Sequence, residues 1–324
     1  MGTSSGFAIW RAVSIAGLLA ASTPSVFGVD YVEPTAEQVA RCMTLPNSGL
    51  QQACRGGYSV QGLKFPDEAS ELSLFSNTGR MAIFKPKGPG PHPAVLLLHP
   101  CGGVGDPNHI RFWASKAVEE GYVAFVVDSW TQRGIAEICR TRPPGFVPIH
   151  MMVRSRDAYE ALAHLGKFDF VDVARVATIG FSNGGRVSYL LGSDSVAQMY
   201  AVNGRRFVAT VAVYGQCFNR ELGLTFLRPD VSRPLLALLG ELDEDGNPED
   251  CVPRLQELKS RGTDVTWHVF PKTGHAWDQQ AFRVPQRNAQ IGNTAGVLSA
   301  YDPRVAEESR DRVFSYLAPR MKGR

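Results

Sequence analysis

The sequence lacks the marks of several protein classes. Its 324 residues contain no run of five like charges and carry a formal net charge of only +3, so nothing favours nucleic-acid binding. No cysteine or histidine pattern has the spacing of a zinc site, and we expect neither a metal nor another cofactor. Internal repeats and low-complexity tracts are absent too. With 44% hydrophobic and 20% charged residues, the chain can bury a large core, which excludes a disordered protein.

The sequence also lacks an apolar run of the roughly 20 residues that cross a bilayer. The apolar stretch at residues 12–21 is shorter; it follows Arg11 and precedes small residues up to Gly28. This pattern predicts a secretory signal peptide over residues 1–28, cleaved after Gly28, rather than a membrane anchor. We therefore expect a secreted or periplasmic protein with no stable membrane insertion after processing.

The six cysteines are an even number, which agrees with an oxidising compartment, although six free thiols would give the same count. Their positions favour three disulfides: Cys42–Cys54, Cys101–Cys139 and Cys217–Cys251. The first pair falls in an N-terminal extension, residues 29–71, which we expect to pack on the main domain. We assign residues 72–324 to that main domain.

The main domain alternates apolar strand patterns with helical patterns. Strand cores are predicted at residues 81–84, 94–98, 123–127, 176–179, 208–214, 235–239 and 265–270. Helices are predicted at residues 108–119, 153–165, 184–191, 252–260 and 303–318. This alternation predicts an α/β fold with a mostly parallel central sheet flanked by helices. Two long connections, residues 135–150 and 282–300, are interpreted either as lids over an active site or as plain surface loops.

The most informative motif is G-F-S-N-G at residues 180–184, directly after a predicted strand. Glycines two positions on either side of Ser182 let strand and helix approach closely while the hydroxyl stays exposed on a strained turn. This is the pattern of a nucleophile elbow. A serine hydroxyl is a poor nucleophile until a histidine takes its proton. His275 is predicted to be that base, because it follows a late strand inside a short glycine turn.

Asp243 is predicted to orient His275, since it lies three residues after Gly240 at the end of another strand. Its carboxylate would hold the imidazole tautomer and stabilise the imidazolium that forms. The neighbouring acids in the same loop, Glu241, Glu244 and Asp245, are interpreted as solvated charges, with a contact to the substrate or to a neighbouring group as the alternative for Glu241. The chain order of nucleophile, acid and base is that of the α/β-hydrolases rather than of chymotrypsin or subtilisin.

Over residues 72–317 the chain resembles the dienelactone hydrolase family of α/β-hydrolases. The matching motifs are H-P-C-G-G at 99–103, V-D-S-W at 127–130 with R-G at 133–134, the elbow, G-E-L-D at 240–243, H-A-W-D at 275–278 and Y-D-P at 301–303. The resemblance implies an α/β-hydrolase fold and cleavage of a small carboxylic ester or lactone. Dienelactone hydrolases proper use a cysteine nucleophile, whereas this elbow has Ser182. The resemblance therefore implies a serine esterase or a related acyl hydrolase, and we expect it to work through an acyl-serine intermediate.

Two backbone N–H groups are predicted to bind the oxyanion, those of Asn183 and Cys101, with Gly102 as the alternative to Cys101. Arg133 and Arg186 are interpreted either as ligands of an anionic substrate group or as structural arginines. Two other functions fit the same fold: a serine peptidase, for which no upstream propeller repeat is found, and a non-catalytic binding protein. The presence of all three triad positions argues against the last.

Overall fold

The computed structural model of the protein describes residues 30–75, 81–140, 146–290 and 293–321. The predicted signal peptide, residues 1–28, lies outside these ranges. Part of the first long connection, residues 141–145, lies outside them as well.

The described residues form eight α-helices and eleven strands. The helices are α1 (Ala36–Met43), α2 (Ser48–Tyr58), α3 (Pro107–Glu119), α4 (Phe146–Leu165), α5 (Asn183–Leu191), α6 (Asp194–Tyr200), α7 (Pro248–Ser260) and α8 (Pro303–Met321). The strands are β1 (Ala82–Phe84), β2 (His92–Leu98), β3 (Val123–Val127), β4 (Val171–Phe181), β5 (Ala209–Val213), β6 (Phe218–Asn219), β7 (Leu224–Thr225), β8 (Leu235–Gly240), β9 (Val265–Phe270), β10 (Gln286–Gln290) and β11 (Asn293–Ser299). Every predicted strand and helix of the main domain is present, although β4, α4 and α7 begin four or more residues earlier than expected.

Seven of these strands form the central sheet, in the order β1-β3-β2-β4-β5-β8-β9. The strand β1 runs antiparallel to β3, and the other neighbours are parallel. All residues of β3, β5 and β8 are buried, because helices cover both faces of the sheet. Double burial explains why these strands are continuous apolar runs in the sequence rather than alternating patterns. The predicted mostly parallel sheet with flanking helices is confirmed.

The strand order changes direction at β2, which places two loops side by side. The strand β3 pairs with one edge of β2, and β4 pairs with the other. In an open parallel sheet, a crevice forms outside the carboxyl ends of the strands at such a reversal. The glycine-rich loop that follows β2 and the turn that follows β4 therefore meet at this crevice.

The N-terminal extension packs on α4 and α6. Tyr58 donates its hydroxyl hydrogen to the carbonyl oxygen of Met199, at 2.9 Å. The buried guanidinium of Arg156, on α4, donates to the carbonyl oxygen of Gly57, also at 2.9 Å. Gly57 leaves no room for a side chain, because an added Cβ would lie 2.0 Å from the hydroxyl oxygen of Tyr200. The extension thus shares a hydrophobic core with the sheet domain.

The second long connection contains a hairpin, β10 paired with β11, where the sequence analysis assigned only a loop. The sequence of this hairpin is largely polar, so it lacks the apolar alternation that marks a half-buried strand. Its place is fixed instead by backbone pairing with the turn at His275. The N–H of His275 donates to the carbonyl oxygen of Leu298 at 2.7 Å. The N–H of Ala300 donates to the carbonyl oxygen of His275 at 3.1 Å.

Three disulfides link the described residues, and they join the same pairs that their positions favoured in the sequence. They are Cys42–Cys54, Cys101–Cys139 and Cys217–Cys251, with Cα–Cα distances of 5.5, 5.0 and 5.5 Å. In the described ranges, no helix combines the length and the apolar character needed to cross a membrane.

The Cys42→Ala/Cys54→Ala double variant tests the contribution of the disulfide that joins α1 to α2. Because this bridge closes a short loop and restricts the unfolded chain, we expect its loss to lower the free energy of unfolding by about 3 kcal/mol. Urea denaturation followed by tryptophan fluorescence measures the change. The exposed neighbour Met43 provides a control, Met43→Ala, that should leave the midpoint unchanged. A double variant as stable as the wild type would contradict the expectation.

Candidate active site

Ser182 occupies a strained turn between β4 and α5. Its backbone angles are φ 52° and ψ −112°, a conformation that costs a non-glycine residue about 1–3 kcal/mol. The turn is held by its surroundings: the Ser182 N–H donates to the carbonyl oxygen of Val213 at 3.0 Å. A Cβ on Gly184 would lie 1.9 Å from the carbonyl oxygen of Leu98, so only glycine permits this approach to the end of β2. The turn has the geometry expected of a nucleophile elbow.

The structure brings together the three residues predicted to form a triad. The Nε2 atom of His275 lies 3.0 Å from the Oγ atom of Ser182, and its Nδ1 atom lies 2.9 Å from Oδ2 of Asp243. All three side chains are buried. With the proton of the neutral imidazole on Nδ1, His275 donates to Asp243 and accepts the hydroxyl hydrogen of Ser182. This arrangement can remove the serine proton during nucleophilic attack.

The carboxylate of Asp243 is fixed by backbone donors. Its Oδ1 atom accepts hydrogen bonds from the N–H groups of Asp245, at 2.9 Å, and Gly246, at 3.0 Å. Its other oxygen is thereby directed at the histidine. A carboxylate held at both oxygens keeps the imidazole in one tautomer and one orientation.

The three other acids of this loop have different partners. Glu241 accepts a hydrogen bond from the backbone N–H of Lys272, at 2.7 Å. Glu244 is bonded to the backbone of β11. Asp245 forms a buried ion pair with Arg186. Of the four acids, Asp243 is therefore the one that contacts His275.

Two opposing effects act on the pKa of His275. Burial disfavours the imidazolium, whereas the adjacent Asp243 carboxylate favours it through its charge and hydrogen bond. The carboxylate prevails, and the pKa of His275 is raised above its ordinary value. A more basic imidazole is a better proton acceptor for a serine hydroxyl.

A buried polar cluster lies behind the imidazole. The ring of Tyr214 packs edge to face against His275, with 4.9 Å between ring centroids. The Tyr214 hydroxyl donates to Asp278 at 2.6 Å, and this carboxylate also accepts hydrogen bonds from Trp113, at 2.7 Å, and from His109, at 3.1 Å. These contacts fix the tyrosine ring and, through it, one face of His275.

A pocket of about 240 Å³ opens above Ser182 and His275. Its other lining residues come from the loop after β2, the region of Cys139 and the segment around β10 and β11: Pro100, Cys101, Gly102, Cys139, Arg140, Ala276, Gln279, Phe282, Gln286, Asn288 and Ser299. Both segments proposed as lids thus contribute to its wall. No group of three or more His, Cys, Asp or Glu side chains suited to a metal ion occurs in the described ranges.

The loop after β2 borders this pocket and carries the predicted oxyanion donors. The N–H of Gly103 donates to the carbonyl oxygen of Pro100 at 3.1 Å, which closes a tight turn around Cys101 and Gly102. Neither of these two residues has an acceptor for its N–H among the residues that the structure describes. Cys101 and Gly102 therefore both remain candidates for the second donor. The first predicted donor is the N–H of Asn183, at the start of α5.

The disulfide Cys101–Cys139 ties the loop after β2 to the segment around Cys139, which also lines the pocket. The next residue, Arg140, also borders the pocket and brings a positive charge to it. No sequence motif predicted Arg140 as a pocket residue. Its position beside a cysteine in a long, Pro-containing connection was the available signal.

Arg133 and Arg186, the two predicted candidates for substrate binding, do not line the pocket. Arg133 forms a bidentate ion pair with the buried Asp157, at 2.7 and 2.8 Å. Arg186 pairs with both oxygens of Asp245, at 2.8 Å each. Since both guanidinium groups are buried against carboxylates, the interpretation as substrate ligands needs correction. Their contacts support the structural alternative instead.

The strand order, together with the strained serine at the end of β4, places this protein among the α/β-hydrolases. Within that class the chain belongs to the dienelactone hydrolase family, whose sequence profile matches residues 80–321. Membership of this family classes the protein as a carboxylic ester hydrolase.

Curated relatives agree with the family assignment. A Methylorubrum extorquens protein, provisionally named a carboxymethylenebutenolidase, is 28% identical over 225 residues, which cover 64% of this chain and 72% of that protein. A relative from Escherichia coli O157:H7 with the same provisional name is 26% identical over 197 residues, which cover 58% of this chain and 69% of the relative.

Solved structures share the fold. A provisionally assigned dienelactone hydrolase from Klebsiella pneumoniae has a TM-score of 0.53 and 22% identity. The matched region covers 76% of this chain and 96% of the Klebsiella chain. The butyrate-bound esterase Est2 from Thermogutta terrifontis has a TM-score of 0.53 and 11% identity, with coverages of 75% and 91%. At these identities, the likeness extends to the fold alone.

The raised pKa of His275 predicts how the imidazole titrates. Because the charge of Asp243 opposes the effect of burial, Asp243→Asn should lower the pKa of His275. NMR titration of the imidazole measures this change directly. As pH falls through this pKa, Nε2 of His275 gains a proton and can no longer accept one from Ser182, so the rate of ester hydrolysis should fall. In Asp243→Asn the midpoint of this fall should move to lower pH.

The control for this titration is Glu241→Gln, in the same loop but bonded to the turn after β9. It should leave the pKa of His275 unchanged. An equal shift in both variants, or a pKa that does not respond to Asp243→Asn, would contradict the predicted role of Asp243.

Proposed function

We propose that this protein is a serine esterase that cleaves a small carboxylic ester or lactone through an acyl-serine intermediate. The observation that supports it most is the continuous hydrogen-bonded chain from Ser182 through His275 to Asp243, with distances of 3.0 and 2.9 Å. This chain opens onto a pocket large enough for a small acyl group. Ser182 is the nucleophile, His275 the general base and Asp243 the residue that orients it.

In the first half of the reaction, Oγ of Ser182 attacks the carbonyl carbon, and its proton passes to Nε2 of His275. Asp243 stabilises the imidazolium that results. When the tetrahedral intermediate collapses, the bond to the leaving alkoxide breaks, and this oxygen takes the proton from Nε2. In the second half, water attacks the acyl-serine and gives a proton to Nε2. That proton returns to Ser182 as the carboxylic acid leaves.

Stabilisation of the oxyanion comes from two backbone segments. The N–H of Asn183 lies at the N-terminus of α5, where the helix dipole favours negative charge. The second N–H comes from Cys101 or Gly102, in the turn above the pocket. Donors of this type are each worth about 10²–10³-fold in kcat.

The pocket favours a small substrate. Its volume, about 240 Å³, lies just below the range of about 300–1,000 Å³ that is usual for small-molecule sites. Its walls combine Phe282 with the amide side chains of Gln279, Gln286 and Asn288 and the cationic side chain of Arg140. A short ester or a lactone with polar substituents fits this lining. The curated relatives named as carboxymethylenebutenolidases support the inclusion of lactones.

We also propose that the protein works outside the cytoplasm, in a secreted or periplasmic location. Three disulfides and no free cysteine in the described residues support this, because disulfides persist in oxidising compartments. The signal peptide over residues 1–28 and its cleavage after Gly28 belong to the same proposal.

The Ser182→Ala variant tests the nucleophile. Removal of Oγ leaves nothing to acylate, so we expect hydrolysis of p-nitrophenyl acetate to fall by at least about 10⁴-fold, as for other serine hydrolases that lose a triad member. Intact-mass spectrometry with a fluorophosphonate probe should show one adduct on the wild type and none on the variant. The exposed serine on α7 provides a control, Ser260→Ala, that should react as the wild type does.

A panel of p-nitrophenyl esters, lactones and peptide p-nitroanilides separates the proposed esterase from its rivals. Preference for esters or lactones supports the proposal, and preference for peptide anilides would instead establish a peptidase. A folded wild type that forms no adduct and hydrolyses nothing in the panel would establish a binding protein.

A further inference from the structure

Arg154, on α4, connects the two segments that surround the proposed oxyanion site. Its side chain is buried, with 1% of its surface exposed. One guanidinium nitrogen, Nη2, donates to the carbonyl oxygen of His99 at 2.8 Å, and the other, Nη1, donates to Oδ1 of Asn183. The guanidinium also lies over the ring of Trp130, 5.1 Å from its centroid. A single rigid group thus links the end of β2 to the first residue of α5.

These two attachment points are close in sequence to the proposed oxyanion donors. His99 lies two residues before Cys101, and Asn183 supplies the other donor itself. The bond from Arg154 uses the side-chain oxygen of Asn183, so it fixes this residue without occupying its backbone N–H. Loss of the guanidinium would release both segments at once.

The charge of Arg154 is unusual among the buried arginines. Arg133, Arg156 and Arg186 each contact a buried carboxylate. Arg154 has no carboxylate within ion-pair distance among the residues that the structure describes. Burial lowers the pKa of Arg154 to about 9, although the more distant Asp157 partly offsets this effect. A buried cation without a contacting counter-ion is costly to retain in a fold.

No second positive charge arises beside it, because His99 stays neutral. Burial and the charge of Arg154 lower the pKa of His99 to about 3. Its ring nitrogens are both occupied: Nε2 accepts the backbone N–H of Ser129 at 3.1 Å, and Nδ1 donates to the carbonyl oxygen of Pro100 at 2.7 Å. Because His99 is neutral in this tautomer, the positive charge next to the loop after β2 is that of Arg154.

We propose that Arg154 is a positioning residue for the oxyanion site: it holds His99 and Asn183 in place, and its buried charge stabilises the oxyanion that forms at Ser182. This inference rests on the proposed acyl-serine mechanism. A neutral ester carbonyl gains little from a cation behind the loop, whereas the tetrahedral oxyanion gains much in a buried, low-dielectric site. The effect of Arg154 should therefore fall on kcat rather than on KM.

Two substitutions separate charge from attachment. Arg154→Met removes both, and we expect kcat per active site to fall by about 10²-fold, the loss typical of an oxyanion-site donor, with KM changed less than about threefold. Arg154→Lys keeps the charge, but one ammonium group cannot reach the oxygens of both His99 and Asn183. Its kcat should fall by about tenfold, to a value between those of the wild type and Arg154→Met. Fluorophosphonate titration gives the concentration of active sites. Because kcat is calculated per active site, partial misfolding does not lower it.

A phenylboronic acid gives the decisive readout, since it adds to a nucleophilic serine as an anionic tetrahedral adduct. Its Ki should rise across Arg154→Lys and Arg154→Met in proportion to the fall in kcat/KM, because it carries the charge of the intermediate. The matched control is Arg156→Lys, a buried arginine on the same helix that bonds backbone carbonyls of the extension. This variant loses comparable packing and should keep the wild-type kcat and Ki.

The outcomes distinguish this inference from the proposed function. A wild type that binds neither probe nor boronate refutes the acyl-serine mechanism, and the role of Arg154 with it. If the wild type reacts but kcat and Ki per titrated site in Arg154→Met match the wild type, the role of Arg154 alone is overturned. Should Arg154→Met fail to fold, equal losses in Arg154→Lys and Arg156→Lys overturn it just as directly.

Discussion

The structure depends on one close approach, that of the first turn of α5 to the end of β2. Gly184 lies so near the carbonyl oxygen of Leu98 that a Cβ would be 1.9 Å from it. This contact puts Ser182, in its strained turn, next to the loop that follows β2. A bulkier residue at position 184 would separate the nucleophile from the proposed oxyanion donors. The energetic cost of the strain is met by the surrounding sheet, where β4 pairs on both sides with buried parallel strands.

The other half of the candidate site is assembled by similar approaches at the ends of β8 and β9. A Cβ on Gly240 would lie 2.5 Å from the carbonyl oxygen of Thr273, so the loops that carry Asp243 and His275 pack directly on each other. Two backbone hydrogen bonds then hold His275, one to Leu298 on β11 and one from Ala300, the residue after this strand. Backbone contacts and the ring of Tyr214 thus hold the imidazole within hydrogen-bond distance of Ser182.

The sequence predicted the sheet, and it singled out Ser182, Asp243 and His275, which the structure brings together. Strands buried on both faces are uninterrupted apolar runs, and residues at the carboxyl ends of parallel strands converge on one edge. Other features depend on tertiary contacts that leave no local pattern. The hairpin of β10 and β11 is largely polar, so it lacks the apolar alternation of a half-buried strand. Arg154 lies in the middle of a helix, where its sequence neighbours say nothing of the carbonyl and amide oxygens that it binds. Arg133 and Arg186 show the same limit, because their buried carboxylate partners are remote in sequence.

The central claim is that Ser182 becomes acylated during turnover. Rapid acid quenching of the wild type with p-nitrophenyl acetate, followed by peptide mass spectrometry, tests it most directly. We expect an acetyl group on the peptide that contains Ser182, formed within the first turnover and lost when the substrate is exhausted. Steady hydrolysis with no acetylated Ser182 at any time would contradict the account, because it would mean that water attacks the ester directly.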